Sequence, residues 1–319
     1  MAIAANINFS NRITFDGRRS KFRLASAWRH NIVKLGTTDY LLRYLDIVSS
    51  SKGGNSSVFL LVDPEHQNDE SKHLVIKICN RADENASFKY RRRFQRELLA
   101  LERASKENKR YIVSHYHHGH VKWNNLSFPY YTMEKGDCDL TNYLKENVLN
   151  VDQKLILCFN LLKAFKDLHS LEMYHRDIKH DNILMFGNEC KVGDLGLVRF
   201  REDDLEFVKD ELGERIGAFG WESPETINKY FTEQSGSVGF DCEIDYQSDI
   251  FQLGKLFWFI FQGNLPVGQV IQSDFLVKDK NIFQVIFWML QHGKSNRRPD
   301  SISEIEEHLN LSAVNYAVS

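Results

Sequence analysis

The run His175-Arg176-Asp177-Ile178-Lys179-His180-Asp181-Asn182-Ile183-Leu184 constrains this chain more than any other. An Asp followed five residues later by an Asn, in a short loop between a helical pattern and a strand, aims two oxygen groups into one place. The carboxylate can accept a proton from an attacking hydroxyl, and the amide carbonyl can ligate a hard cation. Twelve residues beyond Asn182 stands Asp194, in Gly193-Asp194-Leu195-Gly196, after a short β-rich segment. Oxygen ligands of this kind suit a cation that also bridges phosphates.

The surrounding texture changes once along the chain. Val58–Val62 and Leu74–Ile78 are short β-rich runs bounded by turn-prone residues. Residues 88–106 predict a helix, with Phe94, Leu98 and Leu101 at helical spacing. Strand-like runs follow near 111–121 and 127–134. After about residue 136 the apolar periodicity is helical, over 152–170, 249–262, 281–291 and 301–311, the last opening on a capping-box pattern at Ser301–Glu304. A small strand-rich lobe with one helix thus precedes a larger helical lobe, and ligands favour the cleft between such lobes. Residues 1–41 read as an extension of uncertain structure.

Together these runs closely resemble the eukaryotic-type protein kinases of the serine/threonine kind. The resemblance covers about residues 42–312. It implies the α+β, bilobal protein-kinase fold, with an N-lobe over about 42–135, a C-lobe over about 136–312 and a tail at 313–319. ATP and Mg²⁺ are the implied cofactors, and a protein hydroxyl the implied acceptor. Carried over residue by residue, Asp177 is the base or orienting group and Lys179 offsets charge near the γ-phosphate. Arg176 belongs to the same catalytic loop, and Asn182 and Asp194 hold the metal. Lys77, in Val75-Ile76-Lys77, contacts the phosphates, with Glu97 twenty residues later as its ion-pair partner. Ser51, Gly53, Ser56 and Val58 fall in the phosphate-covering loop, although of the family glycines at 51, 53 and 56 only Gly53 is present. Met133 backs the adenine pocket, and the backbones of Glu134 and Gly136 bond the adenine edge. Ser223-Pro224-Glu225 resembles the end of the activation segment, with Arg298 as the partner of Glu225, and Asp249 resembles the Asp that anchors the catalytic loop.

Two departures matter. Ala218 stands where such kinases commonly carry a Thr that bonds the catalytic Asp and Lys. Between Asp194 and Ser223 there is no Ser, Thr or Tyr, so the usual phosphorylation of this segment has no acceptor. The segment is acidic instead: residues 201–225 hold nine acidic and three basic residues, whereas residues 88–110 hold nine basic and three acidic. Carboxylates in 202–214 are therefore expected to replace the phosphate, pairing with Arg176 and with the basic end of the helix. The alternative is two separate solvated charge runs.

The formal net charge of −2 argues against a dedicated nucleic-acid-binding domain. The histidines of 115–120 fall on an expected strand and turn, and the basic cluster 89–96 on the helix that carries Glu97, so neither metal nor nucleic acid is expected at them. No membrane span or signal peptide is visible, and five cysteines without a Cys-x-x-Cys pair fit a reducing compartment, so a soluble cytoplasmic chain is expected. The function expected is a Ser/Thr protein kinase, active without loop phosphorylation and able to phosphorylate itself outside that segment. The competing readings are an ATP-binding pseudokinase or scaffold and a small-molecule kinase.

Overall fold

The computed structural model describes residues 3–8, 13–17, 21–24, 32–45, 55–82, 88–201, 210–236, 239–293 and 298–317. Contacts divide the chain into two compact units, residues 1–108 with 113–135, and residues 109–112 with 136–319.

The first unit is built on strands β1 (Ile3–Asn8), β2 (Ile13–Asp16), β3 (Lys21–Leu24), β4 (Ile32–Leu35), β5 (Thr38–Tyr44), β6 (Ser56–Val62), β7 (Leu74–Cys79), β8 (His115–Trp123) and β9 (Leu126–Glu134), with one helix, α1 (Phe88–Lys106). Seven strands form one sheet in the order β1-β8-β9-β7-β6-β5-β4, and β2 and β3 form a separate hairpin. Only the β1–β8 pair of the large sheet is parallel. Along β6 partly exposed and buried residues alternate, the period-2 signature of a strand with one face on a core. β1 and β4 are the two edge strands of this sheet.

Residues 1–41, without assignable structure from sequence, supply much of this unit's core. Ile13, Phe22, Val33 and Leu35 are buried with Phe59, Ile76, Ile78 and Phe128. Phe15, Phe22 and Phe128 form an aromatic trio with centroids 4.7–4.9 Å apart. The Phe22 N–H donates to Ser57 Oγ at 3.0 Å, and Ser57 Oγ donates to Asn80 Oδ1 at 2.6 Å. Truncating a core aromatic costs about 3–5 kcal/mol. Phe22→Ala should lower the thermal midpoint of the first unit by several degrees or unfold it, read by calorimetry. An unchanged midpoint would show the hairpin to be a passenger.

The second unit contains β10 (Cys138–Asp139), α2 (Leu140–Glu146), α3 (Val151–Ser170), β11 (Met173–Tyr174), β12 (Ile183–Phe186), β13 (Glu189–Val192), β14 (Arg199–Phe200), α4 (Pro224–Ser235), α5 (Tyr246–Gln262), α6 (Lys280–Met289) and α7 (Ile302–Ala317). The helices expected from apolar periodicity are all present. α3 opens on a reciprocal cap, Asn150 taking the Gln153 N–H and Gln153 the Asn150 N–H, both at 2.9 Å. α5 is buried on nearly every face and ends at Gly263, left-handed with φ 78°. A Cβ on Gly254 would lie 2.9 Å from Met289 Cβ, so glycine is what lets α6 pack so close. At α7 the expected capping box forms only in half. Ser301 Oγ accepts the Glu304 N–H, but the Glu304 carboxylate accepts from Asp300 instead, one residue outside the pattern. Among the described residues no helix is long and apolar enough to cross a membrane.

Candidate active site

The loop from His175 to Asn182 is shaped by a single carboxylate. Asp249, on α5 and fully buried, accepts the His175 N–H at 2.8 Å and the Arg176 N–H at 2.9 Å, and His169 Nε2 lies 3.0 Å away. This grip holds Arg176 at φ 65°, a left-handed conformation costly for a side-chain-bearing residue. His175 Nδ1 accepts the Asp177 N–H at 3.2 Å, which leaves Nε2 as the donor to Gly193 O at 3.1 Å. The loop is thereby tied to the segment that carries Asp194.

Asp177 emerges from this frame with its two oxygens distinguished. Oδ2 accepts from Lys179 Nζ at 2.9 Å and from Asn182 Nδ2 at 3.0 Å. Oδ1 is buried and has no hydrogen-bond partner among the described residues. A buried acceptor without a donor is costly, and such groups mark places where a ligand is meant to bind. Asn182 Nδ2 also donates to Asp177 O at 2.8 Å, so both amide protons are used and the carbonyl oxygen points away from Asp177. The Gly193 N–H donates to Asn182 O at 2.9 Å, which brings Asp194 alongside. Asp194 is exposed and left-handed, φ 49°, at the start of a short turn, Leu195–Leu197. An amide oxygen and a carboxylate are few protein ligands, and that suits Mg²⁺, which completes its shell with water and phosphate oxygens.

In the first unit, Lys77 sits opposite Val58 on β6 and Tyr131 on β9. Its Nζ donates to both oxygens of Glu97 on α1, each at 2.7 Å, and lies 5.9 Å from the Tyr131 ring centroid. Val75 and Met133 are paired in adjacent strands. The Glu134 N–H is donated to Ser114 O at 3.1 Å, so a backbone contact from Glu134 to a ligand would come through its carbonyl. In the second unit, a Cβ on Gly136 would lie 3.2 Å from Leu184 Cβ and 3.3 Å from Met185 O, which explains the missing side chain. Ser56 opens β6 opposite Cys79, while Ser51 and Gly53 lie outside the described residues.

Among the described residues the acidic segment meets Arg176 at Asp210. Asp210 accepts from Arg176 Nη1 at 2.6 Å and Nη2 at 2.9 Å, a bidentate pair, while Arg176 Nε donates to Leu197 O at 2.6 Å. Lys229 on α4 adds a third donor to Asp210 at 3.2 Å. Residues 202–209 lie outside the described residues, and with them most of the expected pairing to α1. Arg92 and Arg96 of that helix are buried, so its positive charge is not one solvent-facing stripe. His115, on β8, stacks on His118 with centroids 5.5 Å apart. Burial, with His118 and His117 beside it, pushes His115 down to about 4, which keeps the ring neutral.

Glu225 and Arg298 form the expected pair, 2.7 Å apart and both fully buried. Burial alone would raise the Glu225 carboxyl, but the hydrogen bond and charge of Arg298 outweigh it and hold the carboxyl below its ordinary value. A depressed carboxyl contributes stability above its unfolded value of about 4.3, and loses it as pH falls through the folded value. Removing one partner of a buried pair typically costs about 3–5 kcal/mol. Arg298→Met should therefore destabilise the chain at neutral pH and flatten its acid-unfolding curve below about pH 4.3. Equal urea midpoints for variant and wild type at pH 7 would contradict this.

Four groups were not legible beforehand: Lys229, Gln252, Lys255 and the Thr141–His180–Asp181 cluster, in which Thr141 Oγ1 donates to Asp181 at 2.8 Å. The available signal was a polar residue on an otherwise apolar helix face, as at Gln252 and Lys255.

Comparison with known proteins agrees with this geometry. Residues 51–314 match the family model described as protein kinase domain. The sensor for unfolded proteins in the ER of Schizosaccharomyces pombe is 25% identical over 195 residues, 54% of this chain and 18% of that protein. The mouse dual specificity protein kinase TTK is 22% identical over 69% of this chain and 24% of its own length. A probable serine/threonine-protein kinase, fhkA, of Dictyostelium discoideum is 25% identical over 81% of this chain and 45% of its own length. The chain thus spans less than half the length of each of these relatives.

Proposed function

The chain belongs to the protein kinase domain family, and from that premise we propose that it transfers the γ-phosphoryl group of ATP to Ser and Thr hydroxyls of protein substrates. The observation that carries this reading is Asp177, whose Oδ2 is fixed by Lys179 and Asn182 while Oδ1 is buried and without a hydrogen-bond partner among the described residues. A substrate hydroxyl bonded to Oδ1 is oriented toward phosphorus and gives its proton to the carboxylate as the new O–P bond forms and ADP departs. Lys179, already at this carboxylate, offsets charge on the transferring group. Asn182 and Asp194 would hold Mg²⁺, which would offset the charge of the phosphates. Lys77, oriented by Glu97, takes the α- and β-phosphates. Ser51, Gly53, Ser56 and Val58 cover them, and Met133, Glu134 and Gly136 receive the adenine.

Activity without phosphorylation of the 195–222 segment belongs to the same proposal. Asp210 supplies Arg176 with the anion that a phosphate would otherwise provide. Self-phosphorylation would fall outside that segment, which has no hydroxyl side chain. A cytoplasmic location fits five cysteines without a Cys-x-x-Cys pair.

Labelled ATP with Mg²⁺ and a mixed protein substrate, followed by phosphoamino-acid analysis, tests the reading. Label should appear on phosphoserine and phosphothreonine. Ala218 is the observation that favours a pseudokinase, because the hydroxyl that would tie Asp177 and Lys179 to this segment is missing. Stoichiometric ATP binding without transfer would establish that reading, and label confined to a metabolite would establish a small-molecule kinase.

A further inference from the structure

Besides Gln247, Ser248 and Gln262, α5 carries three polar side chains at three-residue spacing, Asp249, Gln252 and Lys255, and each grips the backbone of a neighbouring loop. Asp249 holds the N–H groups of His175 and Arg176. Gln252 accepts the Ile178 N–H at 3.1 Å and donates to Arg176 O at 3.3 Å. Lys255 Nζ donates to Gly220 O at 2.9 Å and to Glu222 O at 3.1 Å. One rigid helix therefore positions the catalytic loop through Asp249 and Gln252, and residues 220–222 through Lys255.

The segment from 215 to 223 has its own restraints. The Glu222 carboxylate accepts the Gly220 N–H at 2.7 Å and Arg215 Nε at 3.0 Å, and the Trp221 N–H donates to Ala218 O at 2.9 Å. Trp221 also packs against His180 of the catalytic loop and Phe259 of α5. Gly217, at φ +86°, passes so close that a Cβ would lie 3.1 Å from Arg176 O. None of these contacts holds the Gly220 and Glu222 carbonyls. Burial lowers the Lys255 ammonium from its ordinary value, with Glu222 acting in the opposite sense. Placing a lysine there is costly unless its hydrogen bonds are needed, and a desolvated ammonium on two carbonyls makes strong ones.

We infer that Lys255 is a positioning residue that holds the 218–222 segment in register with the catalytic loop, in place of the hydroxyl absent at Ala218. The inference rests on the kinase reading above. It assigns the work of a direct side-chain tie to an indirect one, through α5, with Gln252 and Lys255 as its two ends.

The test is Lys255→Met, which keeps the length of the stem and removes the donors, beside Lys255→Arg, which keeps the charge. Loss of two charge-assisted bonds should raise KM for a protein substrate about tenfold while KM for ATP stays within about twofold, and Lys255→Arg should recover most of the loss. Amide hydrogen exchange should quicken at Gly220 and Trp221 and stay unchanged at His175 and Arg176. The exchange arm needs no turnover, so it decides the inference even if wild type proves inactive, an outcome that would sink the kinase reading alone. If Lys255→Met does not fold, wild-type exchange at Gly220 and Trp221 is compared with Lys255→Arg, which should match it. Unchanged substrate KM and unchanged exchange in Lys255→Met would overturn the inference. So would a uniform loss of both KM values and global protection that Lys255→Arg fails to restore.

Discussion

Replacing Asp177 with Ala should lower phosphoryl transfer by about 10²–10⁴-fold, the range a positioned general base contributes, while ATP still binds. The separation follows from the geometry. Asp177 touches Lys179 and Asn182, whereas Lys77 is paired with Glu97 within the first unit. The variant should also free Lys179 and one Asn182 proton, so Lys179→Met in the Asp177→Ala background should cost far less than it does alone. That non-additivity is expected of residues acting as one unit. Single-turnover rates on one protein substrate, with ATP affinity measured in parallel, provide the check. An Asp177→Ala enzyme within about threefold of wild type would remove the role assigned to this carboxylate.

The second large effect is expected at Asp210. The Arg176 side chain is 1% exposed, and its guanidinium is shared between Asp210 and Leu197 O. Truncating Asp210 leaves a buried guanidinium without its counter-charge, a change that typically costs about 3–5 kcal/mol. Part of that cost should appear as lost order in the 210–222 segment and part as lost activity. Asp210→Ala should reduce kcat by at least about tenfold, with Asp210→Glu well above it because the longer carboxylate can still pair. Phosphatase treatment of wild type should change nothing, since the anion on Arg176 is part of the chain. A phosphatase-sensitive wild type, or full activity in Asp210→Ala, would contradict the substitution of carboxylate for phosphate.

The helices and most strands were legible because their patterns are long and local. α3 and α5 announce themselves by apolar periodicity, and β6 and β7 by β-branched runs between turn-prone residues. The Lys77–Glu97 pair and the Asp249 anchor followed from the family resemblance, and the geometry matches both. What escaped was non-local. β2 pairs with β3 and β4 with β5 close by in sequence, but the residues that bury their apolar faces lie far along the chain. Phe22 meets Phe128, more than a hundred residues away, and no local period encodes that contact. Charge counting was blind in a similar way: the excess of base in 88–110 did not tell which arginines face solvent, and Arg92 and Arg96 are buried. Asp210 could not be singled out among the carboxylates of 202–214 because the choice depends on where the Arg176 backbone turns, and that turn is set by Asp249 on a later helix. Lys255 was hidden for the same reason. A lysine in a helix reads as solvent-facing until the carbonyls of Gly220 and Glu222 are seen beside it.

The central claim is that this chain, unmodified, is a working protein kinase whose base is Asp177. The most direct measurement uses phosphatase-treated protein, confirmed free of phosphate by intact mass, with Mg²⁺ and labelled ATP on a protein substrate beside Asp177→Ala. The account predicts initial-rate label transfer without a lag by wild type and at least a hundredfold less by the variant, at equal ATP occupancy. Equal ATP binding with no transfer by either protein would contradict it.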